Sequence, residues 1–192
     1  MVSTGAHPTR KRFTLDEYHR FIELGALVDL RVELIDGELI EMPPIGDAHA
    51  LAITLVDAAL REAFGNGYLI RPQLPITLAP ASEPEPDLLV VRGKPRDYAT
   101  HPQTALLIIE VSDSTLRYDQ TIKMSLYAKA GIADYWIVNI PDKQLEVYRE
   151  PVADRMREFG FRYASVTTFK ADQSVAPLAA PGSSIAVADL LP

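Results

Sequence analysis

The alternation of apolar and polar positions is clearest between residues 104 and 139, TALLIIEVSDSTLRYDQTIKMSLYAKAGIADYWIVN. The apolar run at residues 105–111 predicts a buried strand. After a polar turn, helical spacing predicts a helix over residues 119–130 that ends at Gly131. A second apolar run at residues 135–140 predicts another strand. The stretch therefore predicts a strand–helix–strand unit around which the rest of the chain is organised.

One acidic residue interrupts the first of these strands. Side chains alternate between the two faces of a strand, so Glu110 shares a face with the apolar residues Leu106 and Ile108. A carboxylate in such surroundings is costly unless it is paired, protonated or bound to a metal. Glu110 is therefore the first candidate for a chemical role.

One face of the predicted helix carries Asp119, Lys123 and Tyr127, which are spaced four residues apart. Lys123 could serve a site built around Glu110. Alternatively, Asp119 and Lys123 form an exposed ion pair worth only a few tenths of a kcal/mol. Tyr127 either orients Lys123 or packs in the core. The spacing alone leaves these alternatives open.

The sequence VELIDGELIEM at residues 32–42 predicts a β-hairpin. Asp36-Gly37 is a favoured two-residue turn between antiparallel strands. If the residues flanking this turn pair with each other, Glu33 lies opposite Ile40. The hairpin would thus place the acidic Glu33 directly across the ladder from an apolar residue.

The other elements follow from caps and local patterns. Thr14 and Glu17 form a capping-box pattern at the start of a first helix. A second helix is predicted over residues 49–64, with Asp47 as its cap and Gly65 at its end. The remaining predictions are strands at residues 69–73, 88–92, 145–149 and 162–169, and a short strand at 184–187 near one edge of the sheet.

Length and composition set limits on the protein's class. The chain has 192 residues, no cysteine and a net charge of −7. We predict a flexible, mildly basic tail at residues 1–12 and a single α/β domain at residues 13–192. No apolar run is long enough to span a membrane, so a cytoplasmic location is expected. The negative charge gives no support to non-specific nucleic-acid binding, which would need a local basic patch.

A second acidic residue begins another apolar run, PDLLVV, at Asp87. Two carboxylates on neighbouring strands could hold one Mg²⁺ through oxygen ligands. Alternatively, Asp87 caps a turn. Glu83 and Glu85, in the preceding Pro-rich segment, are expected to be solvated loop residues.

The order of these motifs resembles the PD-(D/E)xK nuclease superfamily, and more closely its Uma-type branch of restriction endonucleases. The resemblance runs from VELIDGELIEM through EPDLLVV and LLIIEVSDST to YDQTIKMSLYAKAGIADYWIVN. It implies a restriction-endonuclease-like α+β fold, with a mixed central sheet flanked by helices. The usual lysine two residues after the glutamate is absent, since Ser112 stands there. The Uma-type branch instead uses a lysine on the following helix, which here is Lys123.

The resemblance also implies a site with Mg²⁺ or Mn²⁺. The implied catalytic residues are Asp87, Glu110 and Lys123, the last as base or water-orienting group. The implied metal ligands are Glu33, Asp87, Glu110 and the carbonyl group of Val111. His49 would contact a phosphate or the metal shell, or is a surface or capping histidine. Tyr127 is a further candidate beside Lys123.

The predicted function is hydrolysis of DNA phosphodiester bonds by a metal-dependent endonuclease. A homodimer is expected, because cutting two strands requires two attacks. One alternative is a catalytically inactive binding or assembly module with the same fold, which the acidic charge favours. Another keeps the enzyme and changes the substrate to RNA or a small phosphodiester.

Overall fold

A six-stranded mixed sheet forms the centre of the computed structural model, which describes residues 9–192. The strands lie in the order β3-β4-β5-β6-β7-β8, and only β5 and β6 are parallel. Their bounds are Tyr68–Pro72 (β3), Leu88–Arg92 (β4), Leu107–Ser112 (β5), Asp134–Asn139 (β6), Gln144–Ala153 (β7) and Phe161–Lys170 (β8). The predicted mixed α+β fold is confirmed.

The predicted N-terminal tail falls largely outside the described residues, which begin at residue 9. Within the part of the tail that the structure describes, the Nζ atom of Lys11 lies 2.7 Å from Glu17. Arg12 forms an ion pair with Asp36 in the first hairpin. These contacts attach the end of the predicted tail to the rest of the protein. The domain bounds, residues 13–192, stay a prediction.

The strand–helix–strand unit is confirmed, and its helical part begins earlier than predicted. This helical segment covers residues 116–129 and joins the parallel strands β5 and β6. It consists of α3 (Leu116–Tyr118), a π-helical turn (Asp119–Lys123) and α4 (Met124–Lys129). Single π-helical turns within α-helices often occur at functional sites. Here the turn carries two residues that the sequence pattern singled out.

Apolar residues cover both faces of the central sheet, because side chains alternate along each strand. Trp136 faces α2 (Asp47–Phe64) and the C-terminal region. Tyr135 faces the helical segment 116–129. The sheet is therefore buried on both sides, and a charged side chain on either face needs a partner.

The predicted hairpin is confirmed with its predicted register. β1 (Val32–Ile35) and β2 (Glu38–Glu41) pair so that Glu33 lies opposite Ile40. At the turn, Asp36 and Gly37 have φ values of 47° and 81°. A Cβ atom on Gly37 would come within 2.8 Å of the Cβ atom of Arg12, so the position requires glycine.

The cap predicted for the second helix is wrong by one residue. Gly46, in an extended conformation, is the N-cap of α2, and Asp47 is the first helical residue. An aspartate in the first turn still favours the helix through the macrodipole. The helix ends at the predicted Gly65.

The C-terminal region does not extend the central sheet as predicted. β9 (Ser174–Val175) and β10 (Ile185–Ala186) form a separate two-stranded sheet. Val175 and Ile185 pack into the core beside α2. Apolar contact with the face of the sheet thus takes the place of edge pairing.

No helix within residues 9–192 is both long and apolar enough to cross a membrane.

The first helix, α1 (Leu15–Glu23), begins with the predicted capping box. The Thr14 hydroxyl accepts from the Glu17 amide at 3.2 Å, and the Glu17 carboxylate accepts from the Thr14 amide at 2.9 Å. We expect Thr14→Ala to lower the free energy of unfolding by about 1 kcal/mol. Urea titration would test this against Thr54→Ala, which removes a hydroxyl from the exposed face of α2 and should be close to neutral. Equal effects of the two changes would contradict a capping role for Thr14.

Candidate active site

A narrow cleft lies where β4 begins and β5 ends, beside the N-terminus of α2. Its volume is about 40 Å³, which is room for a few water molecules. Arg31 and His49 are the basic side chains of its lining. Its acidic side chains are Glu33, Glu85, Asp87, Glu110, Asp113 and Asp119. The excess of carboxylates gives the cleft a negative potential, which favours a bound cation.

Asp87, immediately before β4, contacts both β5 and α2. Its Oδ2 atom accepts a hydrogen bond from the Val111 amide at 2.8 Å, and Oδ1 lies 2.9 Å from Nε2 of His49. The Asp87 amide donates to Oε2 of Glu110 at 3.3 Å. Because only 5% of Asp87 is exposed, these contacts hold its carboxylate in place. Asp87 is therefore not a simple turn cap.

Glu110 lies on the predicted face of β5, among the apolar residues around Ile108. Its Oε1 atom accepts hydrogen bonds from the Tyr127 hydroxyl at 2.7 Å and from Nζ of Lys123 at 3.1 Å. Burial raises the pKa of Glu110 to about 8, the Lys123 charge opposes this rise, and the Asp87 charge adds to it. A cation bound beside Glu110 would favour its ionised form.

Lys123 is the only cation in direct contact with this carboxylate among residues 9–192. Its Nζ atom lies 2.8 Å from Glu33 and 3.1 Å from Glu110, and only 1% of the side chain is exposed. Burial disfavours its charge, but the carboxylates of Glu110 and Glu33 outweigh burial and raise the pKa of Lys123. Lys123 is therefore a buried ammonium group that bridges two acids.

The alternative of an exposed pair between Asp119 and Lys123 is wrong. Asp119 is itself buried, and its Oδ2 atom accepts from the hydroxyl groups of Ser112 and Thr115, each at 2.7 Å. Burial raises the pKa of Asp119 to about 6, against the opposing effect of Lys123. The sequence analysis missed this pair of hydroxyl donors. The only available signal was Ser112, which occupies the position of the usual lysine.

Of the two roles that the sequence left open for Tyr127, the structure shows core packing, and the tyrosine hydroxyl group contacts Glu110 instead of orienting Lys123. Its ring is fully buried, with its centroid 5.9 Å from Nζ of Lys123. Its hydroxyl group donates to Glu110 rather than to the lysine. Tyr127 therefore packs in the core and also fixes the orientation of the Glu110 carboxylate.

Glu83 is not a solvated loop residue, contrary to expectation. Only 3% of it is exposed, because its segment forms a β-bridge to Leu34. Its carboxylate contacts Nε2 of His19 at 2.9 Å and the hydroxyl of Thr77 at 2.7 Å. Glu85 is half-buried, which raises its pKa, and lies 3.9 Å from Arg31.

The predicted carboxylate ligands Glu33, Asp87 and Glu110 line one cleft, and Val111 contacts Asp87 through its amide, but these groups do not form a closed cluster. Within residues 9–192, no three His, Asp or Glu side chains form a group that could hold a metal ion. The carboxylate of Glu33 is turned towards Lys123. Asp87 and Glu110 remain as neighbouring acids that line the cleft. This donor set fits Mg²⁺, which commonly uses one or two carboxylates and completes its shell with water and substrate phosphate.

Comparison with known proteins agrees with this architecture. Residues 15–188 match the model of the Uma2 family, described as "Putative restriction endonuclease". Curated protein sequences give no match. Among solved structures, a putative nuclease belonging to DUF820 from Anabaena variabilis ATCC 29413 superposes with a TM-score of 0.68 at 18% identity, over 93% of this chain and 97% of that one. The protein therefore belongs to the Uma2 family and has its restriction-endonuclease-like fold.

Proposed function

We propose that this protein is a metal-dependent endonuclease that hydrolyses phosphodiester bonds of DNA. The observation that carries the proposal is the meeting of Asp87, Glu110 and the Lys123 ammonium group at one cleft. In the reaction, a water oxygen attacks the phosphorus in line. The new P–O bond replaces the bond to the departing sugar oxygen. The attacking water releases a proton to the solvent, and the sugar oxygen takes one up from the solvent.

The proposed ligands for Mg²⁺ or Mn²⁺ are Asp87, Glu110 and the carbonyl group of Val111. A bound divalent cation polarises a phosphoryl oxygen and lowers the pKa of a coordinated water. Glu33 is proposed to support the site mainly through its ion pair with Lys123, as the 2.8 Å contact indicates. His49 orients Asp87 through its 2.9 Å contact.

Lys123 is proposed to act as a charge rather than as a base. Its contacts with Glu33 and Glu110 favour the protonated ammonium group, which has no lone pair to accept a proton from water. It can instead orient Glu110 and stabilise negative charge that develops on the phosphate. Tyr127 holds the same carboxylate from the other side.

A homodimer is proposed for double-strand cleavage, because each chain offers one such cleft and two strands need two attacks. Two-fold dimers are the commonest closed assemblies. Analytical ultracentrifugation would test the oligomeric state of the protein. A dimer should linearise plasmid early in the reaction, whereas independent monomers should accumulate nicked circles first.

The test of the proposed function is cleavage of supercoiled plasmid in the presence of Mg²⁺ or Mn²⁺. We expect nicked and linear products with either metal and none with a chelator. Parallel reactions with RNA and with a small phosphodiester identify the preferred substrate. Equal cleavage with and without chelator would contradict the metal requirement, and cleavage of RNA alone would contradict the DNA assignment.

The alternative function is a catalytically inactive module that binds nucleic acid or a protein partner. The observation in its favour is the closed ion pair in which Lys123 already joins Glu33 and Glu110. Such a pair could serve as a structural element of the core. DNA binding without cleavage under either metal would favour this alternative.

A further inference from the structure

A second, larger groove lies beside the candidate active site. It has a volume of about 890 Å³ and shares Glu85 with the active-site cleft. Arg71, Tyr98, Thr100 and His101 are among the residues that line it. The two depressions therefore meet at one side chain, so that an extended ligand in the cleft could continue into the groove.

Arg71 is close to the active site along the sheet. It belongs to β3 and pairs with Leu89 of β4, two residues after Asp87. That offset corresponds to roughly 7 Å along the strand direction. The Gln73 amide also donates to the Asp87 carbonyl group at 2.9 Å, which fixes the end of β3 against Asp87.

The charge of Arg71 has no ion-pair partner within residues 9–192. Only 8% of the residue is exposed. Its Nε atom is buried and has no hydrogen-bond acceptor among those residues. Burial lowers the pKa of Arg71, and Tyr98, whose ring centroid lies 5.7 Å from the guanidinium carbon, opposes the change. A buried cation without an anionic partner is costly, so an anionic ligand beside Arg71 would be favoured.

The acidic side chains of the groove do not supply that anion. Both carboxylate oxygens of Glu83 are engaged, by His19 and by Thr77. Glu85 lies nearest to Arg31, at 3.9 Å. Glu23, the third acid of the lining, forms no ion pair with Arg71 among the described residues. A guanidinium group in this state suits a phosphate, which accepts two parallel hydrogen bonds from it.

We propose that Arg71 and the groove around it bind a backbone phosphate of the nucleic-acid strand that is cut in the neighbouring cleft. This inference rests on the proposed function and assigns that function a second substrate contact. Tyr98 supports the guanidinium group by stacking, and the terminal amino groups of Arg71 hold the phosphate. Arg71 would thus provide a positive charge with no carboxylate partner beside the acidic cleft, and such a charge can contact the strand backbone.

The first arm of the test uses inorganic phosphate as the probe. Phosphate should raise the melting temperature of the wild-type protein, because it binds the folded state alone. Arg71→Gln should abolish this rise. Arg92→Gln is the matched control. Arg92 also lies over a tyrosine ring, with its guanidinium carbon 5.5 Å from the centroid of Tyr68, but it is exposed and belongs to the neighbouring strand β4. An equal rise in the wild type and Arg71→Gln would overturn the proposal.

The second arm uses a short DNA duplex in metal-free buffer, where no cleavage occurs. Arg71→Gln should weaken binding roughly tenfold and reduce the slope of log K against log salt by about 1. Arg92→Gln should leave both quantities unchanged. Unchanged DNA affinity and salt slope in Arg71→Gln would overturn the inference, even if wild-type protein cleaves DNA normally.

A third variant covers the case in which Arg71→Gln does not fold. Arg71→Lys keeps the charge but cannot offer two parallel donors, so its affinity for phosphate should fall below that of the wild type. Equal affinity would overturn the proposal. The protein could also bind phosphate and DNA through Arg71 and yet cleave no nucleic acid. That result would overturn the proposed function and leave the phosphate site supported.

Discussion

Lys123→Met should lower the free energy of unfolding by about 3–5 kcal/mol in metal-free buffer, the scale seen when one partner of a buried ion pair is removed. The ammonium group is 1% exposed and contacts Glu33 and Glu110, both of which are buried. Methionine has a similar volume, so the cavity contribution is small. The loss would come from two carboxylates left without their shared cation.

Urea titration measures this loss, and the chain offers a matched control. Arg61 and Asp57 form an exposed ion pair one helical turn apart in α2, with an Nε–Oδ2 distance of 2.7 Å. Arg61→Met should cost no more than about 0.5 kcal/mol. Adding Glu33→Gln to Lys123→Met should recover part of the stability by removing one uncompensated charge. A loss below about 1 kcal/mol for Lys123→Met would contradict the buried pair.

This expectation changes how activity data on Lys123 should be interpreted. From the sequence, replacement of a surface lysine would leave folding intact, and any loss of cleavage could be assigned to the reaction. Because the structure buries Lys123 between two acids, its variants can lose activity through unfolding. Rates for Lys123 variants are therefore meaningful only where circular dichroism shows the folded state.

The sequence predicted those parts of the fold that local rules determine. The Asp36-Gly37 turn sets the register of its hairpin, and strand alternation places Glu110 on a buried face. The capping box at Thr14 sets the start of the first helix. Each prediction depends on residues a few positions apart, and so the residue pattern is sufficient.

The parts that could not be predicted depend on contacts across the chain. Lys123 and Glu33 are 90 positions apart, and nothing in either segment indicates their partner. The π-helical turn that carries Lys123 has no sequence signature in the pattern of apolar residues. Glu83 was predicted to be solvated because its segment is rich in proline and glutamate, yet a β-bridge to Leu34 buries it. Tertiary pairing overrode local composition in each case.

The acidic cleft also shows what net charge alone leaves out. A net charge of −7 favoured an inactive module, because it opposes contact with nucleic acid. In the structure, six of the 26 acidic side chains line the cleft around Asp87 and Glu110. Net charge describes the whole surface and cannot resolve such a site.

Asp87→Asn should reduce single-turnover cleavage by at least about 10²-fold, the scale for removing one electrostatic group from a reaction centre. The change keeps the shape of the side chain, and the amide oxygen can still accept from the Val111 amide, now 2.8 Å from Oδ2. The fold should therefore survive. What is lost is the negative charge that the proposed metal site needs, so calorimetry should show weaker binding of Mg²⁺.

Asp113→Asn is the control that separates this effect from the general potential of the cleft. Asp113 lines the same cleft but is exposed, and the substitution changes the net charge by the same amount. It should leave Mg²⁺ binding and cleavage within about twofold of the wild type, because an exposed carboxylate is screened by water and salt. Equal losses in the two variants would indicate that only the overall charge matters. Wild-type cleavage by Asp87→Asn would remove Asp87 from the reaction and transfer the role of principal ligand to Glu110.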